Sequence, residues 1–392
     1  MNDHQSSLDP NQGTDVDVAI VGGGIAGCWL LRLLHQNGYR TVLFEADELG
    51  CAQTLASQGM IHGGLKYALG GALTGASEAI AGMPDRWRKC LAGKDPVDLS
   101  GVPLLADTYH MFAEQSTRGR LTTFLASKAL RGRVTRLAPA DCPAAFAGFE
   151  GIVYDLNDFV MDIPALLQRL TQGLEPLTYR ARIDPKNITP SPEGFTVKTA
   201  NKTLRARTLI SCAGNGSNGL IEGLDLAQRE IQHRPLKQVI VRPRHGVRMN
   251  AHCVTGIVSN EPRLTITSYG TGDKLVWYVG GLIAETGIDR SDDSQIDFAR
   301  AELTTCIPWL DWTGAEYATL DVDRAEPFQQ TGLKPDEAFV EQKDNFMQCF
   351  PIKLTLAPDL GDRVLERLPP PSGFTSPMPD SPNPAAVGHF RW

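Results

Sequence analysis

The sequence predicts an α/β fold, with a Rossmann-like first domain and an inserted, mostly antiparallel β-sheet. Three observations predict it. An apolar strand-type run, VDVAIV (16–21), leads into GGGIAG and then into a segment with helical periodicity. A second strand-type run, YRTVLFE (39–45), follows that helix and completes a βαβ opening. From 231 to about 325 the runs QVIVRP, RLTITSY and KLVWYVGG recur at short spacing, the pattern of an antiparallel sheet.

The first helix is justified by two rows, Ile25, Trp29, Leu33 and Ala26, Leu30, Leu34, with Arg32, His35 and Gln36 on the other side. Gly38 is placed to end it. Residues 65–92 read mainly as helix loosened by glycines, and 93–154 carry no sharp motif. Asp162 and Pro164 form an N-cap and first-turn pair for a helix reaching about Leu170, closed by Gly173. LTYRARI (177–183) reads as a strand. FTVKT and LRARTLIS read as a hairpin about Asn201-Lys202, its second strand running into CAGNGSNG. NFMQCFPIKLTLAP (345–358) reads as a buried strand, a turn without glycine and the approach to a helix, DLGDRVLERL. Residues 1–14 are expected to be a disordered polar tail. The stretch from Pro369 holds seven prolines by Pro384 and should be extended or disordered.

At 392 residues the chain has room for two domains. A net charge of −7 argues against general affinity for nucleic acid or anionic lipid. The eight cysteines are scattered without a CxxC pair, so no zinc site or disulfide framework is expected, and a reducing, cytoplasmic setting fits. The opening residues lack the basic and apolar regions of a signal peptide. No apolar run nears the ~20 residues of a transmembrane helix, which leaves at most a peripheral membrane association.

Gly22, Gly24 and Gly27 form G-x-G-x-x-G between a strand and a helix, and Glu45 ends the next strand. The first glycine allows a tight turn, the second lets a pyrophosphate near the backbone, and the third lets helix and strand pack closely. Glu45 is spaced to accept hydrogen bonds from an adenosine ribose. The competing reading is a glycine-rich turn with a surface glutamate. The dinucleotide could be NAD or FAD. His62-Gly63-Gly64, soon after the second strand, favours FAD, because an NAD domain has no need of that glycine pair. A strand ending in Ala213-Gly214 lets another backbone segment reach the cofactor, though it also reads as a plain terminator.

DVAIVGGGIAG, Glu45, IHGGLKY, the strand-to-CAG segment and PIKLTLAP occur in the order seen in the D-amino-acid-oxidase-like superfamily of FAD-dependent oxidoreductases, which the chain resembles. IHGGLKY and KLT most resemble the FAD-dependent glycerol-3-phosphate dehydrogenase and oxidase branch. The resemblance implies a discontinuous FAD domain (15–92, 155–230 and 340–368) and a substrate domain (93–154 and 231–339), with the flavin at their junction. It also implies that Ser57, Gly63 and Gly64 lie along the isoalloxazine. Lys353, Leu354 and Thr355 would present a helix start to the pyrimidine side, where partial positive charge favours electron density on the ring.

His62 is the expected catalytic base: oxidising an alcohol requires loss of the hydroxyl proton, and a neutral imidazole suits that work. The competing reading is a histidine bonded into the cofactor shell. Arg324 matches the approximate place of an arginine in the resembling enzymes, where its fork would hold an anionic substrate; an ion pair with Asp321 or Asp323 is the alternative. The run of Arg234, Lys237, Arg242, Arg244 and Arg248 reads first as a solvated strand face and second as an electrostatic funnel. The expected function is therefore oxidation of a small polar, anionic substrate by hydride transfer to flavin N5, at CH–OH. The alternatives are an amine or amino-acid oxidase of the same fold, or a flavin- or NAD-binding protein without turnover. The electron acceptor is left open among oxygen, a quinone and others.

Overall fold

A computed structural model describes residues 13–64, 80–114, 134–226, 230–254, 262–328, 337–375 and 377–390. The first sheet grows around strand Thr14–Val21, which runs parallel to Thr203–Ser211 on one side and Thr41–Glu45 on the other. Thr41–Glu45 continues to the short strand Thr178–Arg180, also in parallel. Thr203–Ser211 pairs antiparallel with Gly194–Lys198 near its start and parallel with Phe346–Phe350 at its end. Val16 and Val18 to Val21 are all buried, because layers cover both faces of the sheet.

Helix Ile25–Gln36 supplies one of those layers. Its two apolar rows meet helices Ile163–Thr171 and Ala357–Leu365, and Trp29 packs against Trp87 at 5.0 Å between ring centroids. Fully burying each large side chain, such as Leu30 or Leu31, contributes about 1.5–3 kcal/mol, so the stripe outweighs any single cap. Asp162 caps the second helix as expected, accepting the Ala165 N–H at 3.0 Å. Gly38 and Gly173 stand just beyond the ends of their helices with positive φ.

The second sheet follows the order Glu316–Pro327, Ile231–Arg242, Val276–Gly280, Leu264–Tyr269, Ala251–Cys253, Tyr109–Ala113, Ile152–Leu156, Val134–Arg136. All its pairings are antiparallel except the one between Ala251–Cys253 and Tyr109–Ala113. A small sheet of Met60–Ile61, Phe159–Met161 and Leu104–Ala106 stands beside it. The stretch 93–154 therefore delivers strands to both, although it carried no motif.

Two expectations change, and a third is tested only in part. Helix Asp292–Cys306 lies within the stretch read as strands; Ser291 caps it, and only Gln295, Ala299, Leu303 and Cys306 are buried. Of 177–183, only Thr178–Arg180 forms a strand. Of 65–92, helix Met83–Leu91 is present, while 65–79 lie outside the described residues. The described part of the proline-rich stretch is extended and well anchored. Tyr39 Oη donates to the Pro369 carbonyl, Tyr179 Oη to that of Pro379, and the Arg180 N–H to that of Asn383.

Candidate functional site

The carboxyl ends of the first sheet's parallel strands open into a cleft of about 300 Å³. It is walled by the glycine loop, by residues 50–54 with Ser57, by Ala213 to Asn215, and by Cys349 to Leu354. A neighbouring cleft of about 260 Å³ shares Gly22, Glu45 and Ala213 with it and extends past Phe44 and Ala181 to Pro185, as far as Leu220. Together they make one elongated groove across the ends of the strands.

Each glycine of the loop has its own physical reason. A β-carbon at Gly22, where φ is +111°, would lie 2.3 Å from the Cys212 carbonyl oxygen. One at Gly27 would lie 1.9 Å from the Gly22 carbonyl oxygen, so the helix can reach the turn only without it. One at Gly24 would meet only Thr54 Oγ1, at 3.1 Å, and would otherwise occupy the cleft. The helix begins at Ile25 with no side-chain cap and no acidic residue in its first turn. Its first N–H groups lack intrahelical partners and its positive end faces the groove. Thr54 Oγ1 accepts the Ile25 N–H at 3.0 Å. Glu45 accepts the Gly23 N–H at 2.7 Å on one oxygen and the Asp47 N–H at 3.0 Å on the other. Each oxygen keeps a further lone pair for a ligand hydroxyl.

Of the residues singled out in the sequence, Gly22, Gly24, Glu45, Ser57, Ala213, Gly214, Lys353 and Leu354 line this cleft. Gly27 packs beneath it. Thr355, His62, Gly63 and Gly64 are not among the residues that line it. Thr355 Oγ1 donates to the His62 carbonyl at 3.2 Å, and the Gly63 N–H donates to Asp158 Oδ1 at 2.9 Å. His62 is only 6% exposed. Its Nδ1 accepts the Gly64 N–H at 3.2 Å, so the neutral ring carries its proton on Nε2. Gly64 has φ +79°, and a β-carbon there would lie 2.7 Å from Ile80 Cγ2. The requirement for glycine at 64 comes from the protein's own packing and backbone, whereas at Gly63 a β-carbon would make ordinary contacts.

Arg324 stands apart. Asp323 and Ala325 face the cleft, and the pleat sends Arg324 to the opposite side of strand Glu316–Pro327. There it donates to Glu285 Oε1 at 3.3 Å and to the Arg234 carbonyl at 3.2 Å. The ion pair anticipated with Asp321 or Asp323 is made with Glu285 instead, on a helix distant in sequence. The cationic run is also partnered. Arg234 pairs with Glu326, Lys237 with Asp292, and Arg242 and Arg244 with Glu316, while Arg248 donates to the carbonyls of Leu105 and Ser268. These carboxylates leave little net positive charge for a funnel.

One feature of the wall was missed. Ile352 has φ +64°, and the Lys353 N–H donates to the Pro351 carbonyl at 2.6 Å, a tight γ-turn around a β-branched residue. Nothing in the residue types announces it, since such a turn favours glycine. Cys349, 1% exposed, is a free thiol hydrogen-bonded to the free thiol of Cys212. That bond and burial hold the Cys212 thiol well above its ordinary pKa, so it stays protonated. Among the described residues no cluster of His, Cys, Asp and Glu could hold a metal ion.

A sequence model of the family described as FAD dependent oxidoreductase matches residues 17–343. The chain belongs to the FAD-dependent oxidoreductases of the D-amino-acid-oxidase type. The probable FAD-dependent oxidoreductase PA4991 of Pseudomonas aeruginosa is 44% identical over 362 residues, 91% of this chain and 92% of that one. Its crystal structure superposes with a TM-score of 0.80 at 36% identity, covering 96% of this chain and 97% of that one. Glycine oxidase from Geobacillus kaustophilus shares the fold, with a TM-score of 0.65 at 15% identity over 91% of this chain and 95% of that one. The chain is thus an FAD-dependent enzyme, and the groove fits the cofactor. It is elongated, it has glycine where a side chain would intrude, and an uncapped helix start faces it. Among the described residues no helix is long and apolar enough to cross a membrane.

Proposed function

We propose that this FAD-dependent oxidoreductase oxidises a small polar substrate at a C–H bond beside nitrogen. The bound FAD supplies the hydride acceptor. In this reading the helix start after Gly24 holds the pyrophosphate, Glu45 holds the ribose, and the groove from Phe44 to Leu220 holds the adenine. Ser57, Lys353 and Leu354 border the flavin ring, and the first sheet with its helices is the cofactor domain. The second sheet forms the substrate domain.

One observation carries the choice of nitrogen over oxygen: His62 Nδ1 accepts the Gly64 N–H. An imidazole so held presents Nε2–H, which donates a hydrogen bond but takes no proton. Protonating Nδ1 would set two N–H groups against each other and forfeit a bond worth about 1 kcal/mol. An alcohol needs a base as its hydride leaves, whereas a neutral amine supplies its own lone pair. His62 therefore acts as a hydrogen-bond donor. Arg324 is engaged by Glu285, so the reading gives it no part in holding the substrate.

A second reading, oxidation at CH–OH with His62 as base, is favoured by a local likeness. The aerobic glycerol-3-phosphate dehydrogenase of Escherichia coli is 39% identical over 51 residues, 13% of this chain and 10% of that one.

Anaerobic flavin reduction by matched amines and alcohols separates the two readings. The expected result is reduction by amines, with His62→Ala slowing it less than ~10-fold and His62→Gln restoring much of the loss. Removing a general base should instead cost ~10²–10⁴-fold, with wild-type reduction falling as pH drops through ~6.5. That outcome, with an alcohol as the better donor, overturns the amine reading.

A further inference from the structure

The proline-rich stretch does more than fill a surface. After crossing the edge strand, where the Ala385 N–H donates to the Thr178 carbonyl, it reaches Leu49, one residue before the cleft wall. There the Leu49 N–H donates to the Ala386 carbonyl at 2.8 Å, and the Gly388 N–H donates to the Leu49 carbonyl at 3.0 Å. Both backbone groups of Leu49 are thereby engaged. The next residue, Gly50, lines the cleft and donates its N–H to the Gly23 carbonyl at 2.9 Å, so the grip extends to the glycine loop. Approach is close: a β-carbon at Gly388 would lie 2.9 Å from Leu55 Cδ1.

Two residues further on, Phe390 packs on Tyr269 and Tyr278 of the second sheet, with ring centroids 5.0 Å and 6.3 Å apart. Tyr269 Oη reaches the Ser57 carbonyl at 3.5 Å, and the Gln58 amide donates to the carbonyls of Thr265 and Tyr278. Ser57 ends the wall that Gly50, the neighbour of Leu49, begins.

We propose that residues 384–390 are a clasp on the cofactor cleft. The clasp fixes the wall beside Leu49 through backbone bonds and at Ser57 through Phe390 and Tyr269. Phe390 is a positioning residue for bound FAD, acting through Tyr269, and it ties the second sheet to cofactor retention. The proposal rests on the reading of this cleft as the FAD site.

The test is flavin release from purified holoprotein, followed in a filtrate after dilution, beside the melting temperature at saturating FAD. Phe390→Ala should release flavin roughly three- to tenfold faster, the size expected of a lost aromatic contact. Phe390→Tyr should restore retention, and Gly388→Val, which wedges the stretch off Leu55, should release flavin faster too. A chain stopped after Leu368 should lose it fastest; if that chain does not fold, the point variants decide. Wild-type release from Phe390→Ala and Gly388→Val, with only the melting temperature lowered, overturns the clasp. A Gly24→Val protein that keeps its flavin overturns instead the reading of the cleft on which the clasp rests.

Discussion

Ile352 is the residue where local preference and native conformation conflict most sharply. A β-branched side chain at φ +64° costs about 1–3 kcal/mol, and such strain persists only where surrounding structure imposes it. Here the constraint comes from both sides. Strand Phe346–Phe350 is locked between two neighbours, and the turn at Leu354–Leu356 is tied to His62 and to Trp87 Nε1. The strained turn sets the cleft-facing backbone of Lys353 and Leu354. Ile352→Gly relieves that strain but removes a side chain buried with Ile231, Ala325 and Phe350, a loss of about 2–5 kcal/mol that outweighs it; the melting temperature of the apoprotein should fall, and FAD binding should weaken because the turn is no longer held in one shape. Calorimetry of the apoprotein and a flavin titration check both halves. His62 teaches a related lesson. Its presence beside two glycines was legible, but its tautomer depends on a backbone N–H two residues away.

At the scale of elements, the βαβ opening was readable because each part has a local cause: a run of apolar residues, a period of 3.6, a glycine where the helix stops. The contact that closes the glycine loop against the helix is not local. Gly27→Ala would put a β-carbon 1.9 Å from the Gly22 carbonyl oxygen and 2.9 Å from Leu43 Cδ1. It should force helix Ile25–Gln36 away from the sheet, costing at least the 1–3 kcal/mol usual for overpacking, and abolish flavin binding. Urea unfolding and flavin content measure the two effects; a stable, yellow Gly27→Ala protein would contradict this packing. Helix Asp292–Cys306 escaped notice for the opposite reason. With only Gln295, Ala299, Leu303 and Cys306 buried, its apolar stripe is one residue wide and its Ser-Asp-Asp start is the sole signal.

For the whole molecule, FAD is a ligand of the native state, and its binding adds to stability by mass action. Free FAD at a hundredfold excess over its dissociation constant should stabilise the native state by about 2.7 kcal/mol and raise the melting temperature by several degrees. The flavin should be held without a covalent link. Cys349, in the cleft wall, is a buried free thiol hydrogen-bonded to that of Cys212. Acid precipitation of the yellow protein should therefore leave the flavin in the supernatant; colour in the pellet would refute the non-covalent state. The same scale explains the proline-rich stretch. Its composition matches a disordered linker, yet it is held by bonds to Tyr39, to the neighbouring Thr178 and Tyr179 of one strand, and to Leu49.

The sequence by itself determined what depends on near neighbours along the chain. Gly22, Gly24, Gly27 and Glu45 announce the cofactor loop, Asp162 and Pro164 announce a helix, and alternation announces the second sheet. Only the tertiary structure decided which partner each polar group meets. Arg324 has aspartates beside it in sequence, yet it bonds to Glu285 because a strand's pleat sends neighbours to opposite faces. Leu49 meets Ala386 across more than three hundred residues because each has a backbone group that must find a partner where the fold brings the two segments together. A hydrogen bond or an ion pair needs only a few ångströms of space, and that distance is set by the fold, not by separation along the chain.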